Sequence, residues 1–315
     1  MTDIYRRVIL LCIILILVPY SSYSSQTSVV EIPLSFDRGN IPMVEMVINS
    51  HHVKFYLDTG ARGLHLPKTI VEIIHGVQLT GRTIRSVDLS GKVREDKEFI
   101  IPELQMNGMI FRNITGQYLS AWGLGESEFQ LPVIGLDVLL QKELVLDFPR
   151  KRLLMSDVSI AFDTLYSSTQ NLPFTSVDEG LVVSAHIGKH EWPFVLDSGA
   201  SISIIKTSAN IDNSLITPCT IELPGGPCEK VNAHVDCGNE MVVLQLIRMQ
   251  LPEQFKPMGV IGHDFFSQCA IYLSKDSDVM RISCIKNSNF ICVIIKNSSR
   301  FMSNNALFYT EMTDT

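Results

Sequence analysis

Two stretches of the chain repeat one pattern of apolar and polar positions. From Met43 to Ala61, MVEMVINSHHVKFYLDTGA lies over VVSAHIGKHEWPFVLDSGA, Val182 to Ala200, at a constant offset of 139 and without a gap. In both copies apolar residues alternate with polar ones, a turn falls at Asn49–Ser50 or Gly188–Lys189, and a second apolar strand runs into an aspartate. Upstream, IPLSFDRG and LPFTSVDEG correspond once one residue is inserted, so each half is expected to open as a β-meander. Downstream, VIGLDVL (Val133 to Leu139) faces VIGHDFF (Val260 to Phe266) at an offset of 127, and LVLD (Leu144 to Asp147) faces IYLS (Ile271 to Ser274). The fall in offset places a net deletion of 12 residues in the middle of the second copy, where loops and hairpin tips tolerate length changes. The chain therefore reads as a duplication. It divides into a first lobe over 26–160, a linker at 161–171, a second lobe over 172–286, and a tail from 287 to 315 that carries one more apolar strand, FICVIIK.

The N-terminus follows a different pattern. Arg6 and Arg7 precede the apolar run VILLCIILILVPY, and the small polar stretch SSYSSQTS follows it. This is the order of a secretory signal, with cleavage expected after Ser24 and residues 1–25 lying outside the mature fold. The run from Val8 to Tyr20 covers 13 positions, short of the roughly 20 a spanning helix needs. A chain exported to a periplasm or secreted is the expectation; the alternative is anchoring in a membrane through a retained N-terminal segment.

Composition adds limits. The 315 residues suit two units, 46% apolar content is ordinary for a globular protein, and a formal charge of −7 offers no basic surface to nucleic acid. Cys12 leaves with the signal, and the six remaining cysteines all fall after residue 218: Cys219, Cys228, Cys237, Cys269, Cys284 and Cys292. An even count in an exported chain favours disulfides. Cys219 and Cys228 bracket TIELPGGP, a hairpin tip, and are the first pair expected to bond. His234 lies near Cys237, but no C-x-x-C accompanies them, so disulfides are favoured over a metal site.

A lone D-[ST]-G is weak, since an aspartate there also serves as an Asx-turn residue at a strand end. Two copies inside an aligned repeat, each followed by a hydrophobic-hydrophobic-glycine element, are a strong signal. The residues Asp58-Thr59-Gly60-Ala61, Asp197-Ser198-Gly199-Ala200, Val133-Ile134-Gly135 and Val260-Ile261-Gly262 resemble those of the aspartic peptidases. Alanine after the glycine makes them more similar to the retropepsin-like branch than to pepsin, which has serine there. The resemblance spans both halves. It implies a mainly β fold of two related closed barrels with the active-site cleft between them, each lobe supplying one catalytic aspartate, Asp58 and Asp197. It also implies that Thr59, Gly60, Ser198 and Gly199, with Ile134, Gly135, Ile261 and Gly262, support that pair.

The chemistry explains why two aspartates are needed. Like charges in contact cannot both ionise, so the pair shares one proton over a window of pH. The ionised member takes a proton from a water attacking the peptide carbonyl, and the protonated member donates to the developing oxyanion. The proton belongs to the coupled pair, so neither aspartate is given a fixed role. The implied activity is an aspartic endopeptidase acting as a monomer on a peptide or protein substrate, with no cofactor and no metal. Flaps over the cleft are expected at Ser90 and Gly91, in the hairpin Thr83 to Phe99, and at Gly225 and Gly226. No tyrosine lies in the first hairpin, which departs from pepsin.

Three other readings compete. LDSGAS resembles the G-D-S-G-G of chymotrypsin-like enzymes, but it lacks the flanking glycines, and serine chemistry needs no repeat. A structural envelope protein accounts for the strands but leaves the paired motifs unexplained. A catalytically inactive peptide-binding protein of the same fold is the main alternative, although both aspartates are present.

Overall fold

The computed structural model describes residues 29–87, 93–119, 131–177, 180–220, 228–238 and 240–285, together with the backbone of 309–311. The expected signal segment and the expected strand FICVIIK lie outside these residues. Alternation sets the first strands, β1 (Val30–Phe36), β2 (Pro42–Ile48) and β3 (His51–Asp58). The β2–β3 turn holds Asn49 and Ser50 at φ of 49° and 66°, the left-handed pair that a two-residue hairpin demands.

The lobe continues with β4 (Leu64–Leu66), β5 (Gln78–Val87), β6 (Val93–Met106), β7 (Met109–Tyr118) and β8 (Val133–Gly135). Strands β2, β3, β8, β4, β7 and β6 form a ring that closes where Ile48 pairs with Met106. Closure leaves these strands no free edge and encloses a core that includes Phe55, Leu57, Phe99 and Phe111, all fully buried.

Next come β9 (Glu143–Asp147) and β10 (Arg152–Ser156), and the second lobe repeats the plan. Its strands are β11 (Gln170–Pro173), β12 (Thr175–Val177), β13 (Gly180–Ile187), β14 (His190–Leu196), β15 (Ile204–Lys206), β16 (Ile216–Pro218), β17 (Glu229–Cys237), β18 (Glu240–Met249), β19 (Gly259–Ile261), β20 (Cys269–Leu273) and β21 (Val279–Cys284). Here β13, β14, β19, β15, β18 and β17 form the ring, closed by His186 opposite His234. A last strand, β22 (Tyr309–Glu311), pairs with β5.

The lobes are joined by a six-stranded antiparallel sheet in the order β11, β21, β20, β9, β10, β1. At its centre Leu144 pairs with Leu273 and Leu146 with Ile271. At the offset of 127, Leu144 corresponds to Ile271 and Leu146 to Leu273, so this junction is self-complementary about a pseudo-twofold axis. Both edges of the sheet obey the repeat too: Ile32 pairs with Leu153, and their counterparts Leu172 and Met280 pair with each other. Lobe two also reaches across with side chains, Tyr272 and Ser274 donating to Glu143 at 2.5 and 3.2 Å.

Pairing registers locate the missing residues. His65 lies beside Gln117, and its counterpart Ile204 beside Ile247, so the offset has already fallen from 139 to 130 within the hairpin region. The remaining three residues are lost from the connection into β19.

The Cys219–Cys228 disulfide closes the loop end of the β16–β17 hairpin, and Cys269–Cys284 links directly opposed residues of β20 and β21. Cys237 is buried and forms no disulfide with another described residue, while Cys292 lies outside the described residues. The Cys237 side chain points into the core on alternating β17. Burial, followed by the charges of Asp236 and Glu240, pushes the Cys237 thiol up to about 12. Alkylation of the native protein at neutral pH, mapped by mass spectrometry, should leave Cys237 unlabelled and denaturant should expose it. Ready labelling in the native state would contradict this placement.

Candidate active site

Each aspartate stands at the end of a strand whose neighbours fix its backbone. In lobe one, β3 runs parallel to β8 with Leu57 beside Ile134 and Asp58 beside Gly135, while β4 runs antiparallel to β8. In lobe two, β14 runs parallel to β19 with Leu196 beside Ile261, and β15 runs antiparallel to β19. The turn after each aspartate is thus threaded through a pair of strands. Gly135 and Gly262 are required by this crossing: a Cβ would lie 2.6 Å from the Ala61 carbonyl oxygen in the first case and 2.5 Å from that of Ala200 in the second. Ile134 and Ile261 are fully buried and belong to the core.

The two motifs meet across the lobe junction. The Thr59 hydroxyl donates to the Leu196 carbonyl (2.8 Å) and accepts from the Ser198 amide (2.9 Å). Reciprocally, the Ser198 hydroxyl donates to the Leu57 carbonyl (2.8 Å) and accepts from the Thr59 amide (3.0 Å). These four bonds lie out of water and bridge residues about 139 positions apart.

Above this brace the carboxylates converge. The Gly60 amide donates to Asp58 (2.9 Å) and the Gly199 amide to Asp197 (2.7 Å). A Cβ on Gly60 would stand 2.9 Å from the carboxyl carbon of Asp197, and one on Gly199 would stand 2.7 Å from a carboxyl oxygen of Asp58. Each glycine therefore leaves room for the opposite acid. Asp58 and Asp197 are 2% and 1% exposed. Burial pushes Asp58 up to about 6, against the opposing hydrogen bonds from Asp197 and from the Gly60 and Ala61 amides. Asp197 is held well above the carboxylate range by burial and then by the charge of Asp58 and the hydrogen bond between them. Geometrically the two carboxyl groups are buried side by side at the lobe junction.

No family model matches the sequence, and no curated protein matches it. Among solved structures, the chain is similar to an aspartic proteinase from Irpex lacteus, with a TM-score of 0.53 and 10% identity over 82% of this chain and 98% of that one. It is similar in the same measure to Basic 7S globulin from soybean, with a TM-score of 0.53 and 9% identity over 82% of this chain and 95% of that one. The chain has the bilobal aspartic-proteinase fold.

Within the aspartic-proteinase fold, the first hairpin is present as the antiparallel arms of β5 and β6, with Thr83 opposite Lys97 and Val87 opposite Val93. Its tip, with Ser90 and Gly91, lies outside the described residues, as do Gly225 and Gly226 beyond the Cys219–Cys228 bridge.

Three supporting residues escape the sequence reading. Asp137 accepts from the Gly63 amide (2.6 Å) and the Val138 amide (3.0 Å), and so ties the loop after Asp58 to the helical turn after β8. Its counterpart Asp264 accepts from the Ser203 hydroxyl, which in turn accepts from the Gly262 amide (2.9 Å). Burial raises both carboxyls, Asp264 to about 6. Their signal was present, since they recur at the offset of 127. His65 has no such signal. It is fully enclosed beside the Arg62 carbonyl (2.8 Å) and Gln117 (3.2 Å), and burial lowers it to about 4.

Proposed function

We propose that the chain is an aspartic endopeptidase, with Asp58 and Asp197 as its catalytic dyad. The observation that carries this reading is the reciprocal fit of the two motifs: each glycine abuts the other lobe's carboxylate, above a brace of four cross-junction hydrogen bonds. Such a site holds two acids at contact in a region poor in water, where only one of them is charged. The charged member removes a proton from water as it attacks the scissile carbonyl. The other donates its proton to the oxygen that becomes an oxyanion. As the C–N bond of the tetrahedral species breaks, the acid that took the water's proton passes it to the leaving nitrogen, and the other acid takes back a proton from a hydroxyl of the species, which restores the pair.

Ala61 and Ala200 support the retropepsin-like affinity, and the presence of both carboxylates in one chain supports action as a monomer. The disulfides support a mature chain that acts outside the cytoplasm, with a peptide or protein as substrate. The hairpin arms of β5–β6 and the bridged β16–β17 hairpin are the segments we assign as flaps.

A second reading, peptide binding without turnover, is supported by the likeness in fold to Basic 7S globulin from soybean. Incubation with a mixed peptide library across pH, with and without a peptide isostere bearing a hydroxyl at the scissile position, separates the two. Because burial raises both acids, kcat/KM should climb as pH rises through about 6, where the pair loses its first proton. It should fall again at higher pH as the second proton leaves. The isostere should abolish cleavage. Peptides bound but uncut at every pH would overturn the reading.

A further inference from the structure

Asn113 sits at a bend in β7 where ordinary alternation fails. Arg112 and Asn113 are both exposed, although neighbours on a strand normally face opposite ways. Opposite them, Pro102 and Glu103 are both exposed too, and Pro102 has no amide hydrogen to give to the ladder. Asn113 absorbs the bend at φ 50°, a backbone state that asparagine tolerates better than most residues.

That accounts for the backbone. It does not account for what the side chain does, and a comparison within the same lobe sharpens the point. Asn107 is also left-handed, but its amide is used: the side-chain oxygen accepts from the Val47 amide at 2.8 Å. Asn113 instead presents its amide to solvent. Two residues on, and so on the same side of the strand, Thr115 is exposed as well. The triplet is Asn113-Ile114-Thr115, an N-x-T acceptor sequence, with the intervening Ile114 turned into the core.

We infer that Asn113 is a site of N-linked glycosylation. The inference rests on the reading that the chain is exported into a compartment that forms disulfides. The co-reactant is a polyprenyl-diphosphate-linked oligosaccharide. A bond forms between Asn113 Nδ2 and the anomeric carbon of the first sugar, the bond from that carbon to the diphosphate oxygen breaks, the amide gives up one proton, and the lipid diphosphate leaves. The fold accepts the product. Asn113 faces outward on the lobe-one barrel, and the backbone of Arg112 beside it is held by Gln141 through two 2.8 Å bonds, so a bulky substituent disturbs no buried contact. The strand enters the site region only further on, where Gln117 reaches His65.

Translation of the full chain in the presence of eukaryotic microsomes tests this. A second triplet, Asn297-Ser298-Ser299, lies outside the described residues, so the readout is the difference between chains. The protease-protected wild type should carry one more endoglycosidase-sensitive glycan than Asn113→Gln. Thr115→Ala, which keeps Asn113 in its bend while removing the hydroxyl the transferase requires, should lose the same glycan. A protected wild-type chain with no glycan on Asn113 would overturn the site while leaving export intact. A chain that never enters the microsomes would overturn both the export reading and this inference, and would leave the peptidase reading untouched.

Discussion

Thr59→Val and Ser198→Ala should each lower the thermal midpoint by roughly 6–12 °C. Each substitution keeps the residue's bulk or reduces it slightly, and deletes one hydroxyl that serves two backbone groups. Thr59→Val strands the Ser198 amide and the Leu196 carbonyl; Ser198→Ala strands the Thr59 amide and the Leu57 carbonyl. All lie in the buried lobe junction. A buried group left without its partner costs about 1–3 kcal/mol, so about 3 kcal/mol per variant is expected, and each kcal/mol moves the midpoint of a chain this size by about 2–4 °C. The two hydroxyls serve one network, and the double variant should therefore lose less than the sum of the single losses. Thr59→Ser keeps the hydroxyl and should behave nearly as the parent does. Scanning calorimetry of the parent and these variants decides the matter. Midpoints within about 1 °C of the parent for both single variants would mean that the brace contributes little to holding the lobes together.

What was legible in the sequence was local or repeated. The two hairpin turns follow from Asn49 and Gly188, residue types that accept left-handed backbone, and the strands around them from strict alternation. The paired aspartates could be read because duplication writes each supporting residue twice. Asp137 and Asp264 carried that same mark, but a carboxylate in an apolar run has no local sign of which amide or hydroxyl it will meet. The sheet between the lobes was hidden for a different reason. Pairing of Leu144 with Leu273 joins segments far apart in sequence, and nothing in either strand names its partner. His65 shows the same limit, since its burial depends on Gln117, 52 positions away. Counting cysteines could not foresee that alternation along β17 directs the Cys237 side chain into the core.

The larger effect is expected at the acids themselves. Asp58→Asn and Asp197→Asn each preserve the size of the side chain and its ability to accept from Gly60 or Gly199, while removing the titrating oxygen. Neither a neutral amide nor a lone carboxylate beside one reproduces a shared proton. Each variant should lose at least about a thousand-fold in kcat/KM, in the range that proton transfer contributes. Stability should move little or rise, because a buried carboxylate is replaced by a neutral group. The sign follows from the raised pKa values: the dyad in its ionised form lowers folded stability as pH rises above the ordinary carboxylate range, and an amide has no such dependence.

The central claim is that the two acids form one unit inside one chain, and the most direct measurement is hydrolysis of a peptide substrate by the two single variants and the double variant side by side. One shared dyad predicts that both single variants lose activity to the same floor and that the double variant is no worse, since members of a catalytic unit are not additive. Half the parental activity in each single variant, as independent sites paired between two molecules would give, or substantial hydrolysis by either one, would contradict the account.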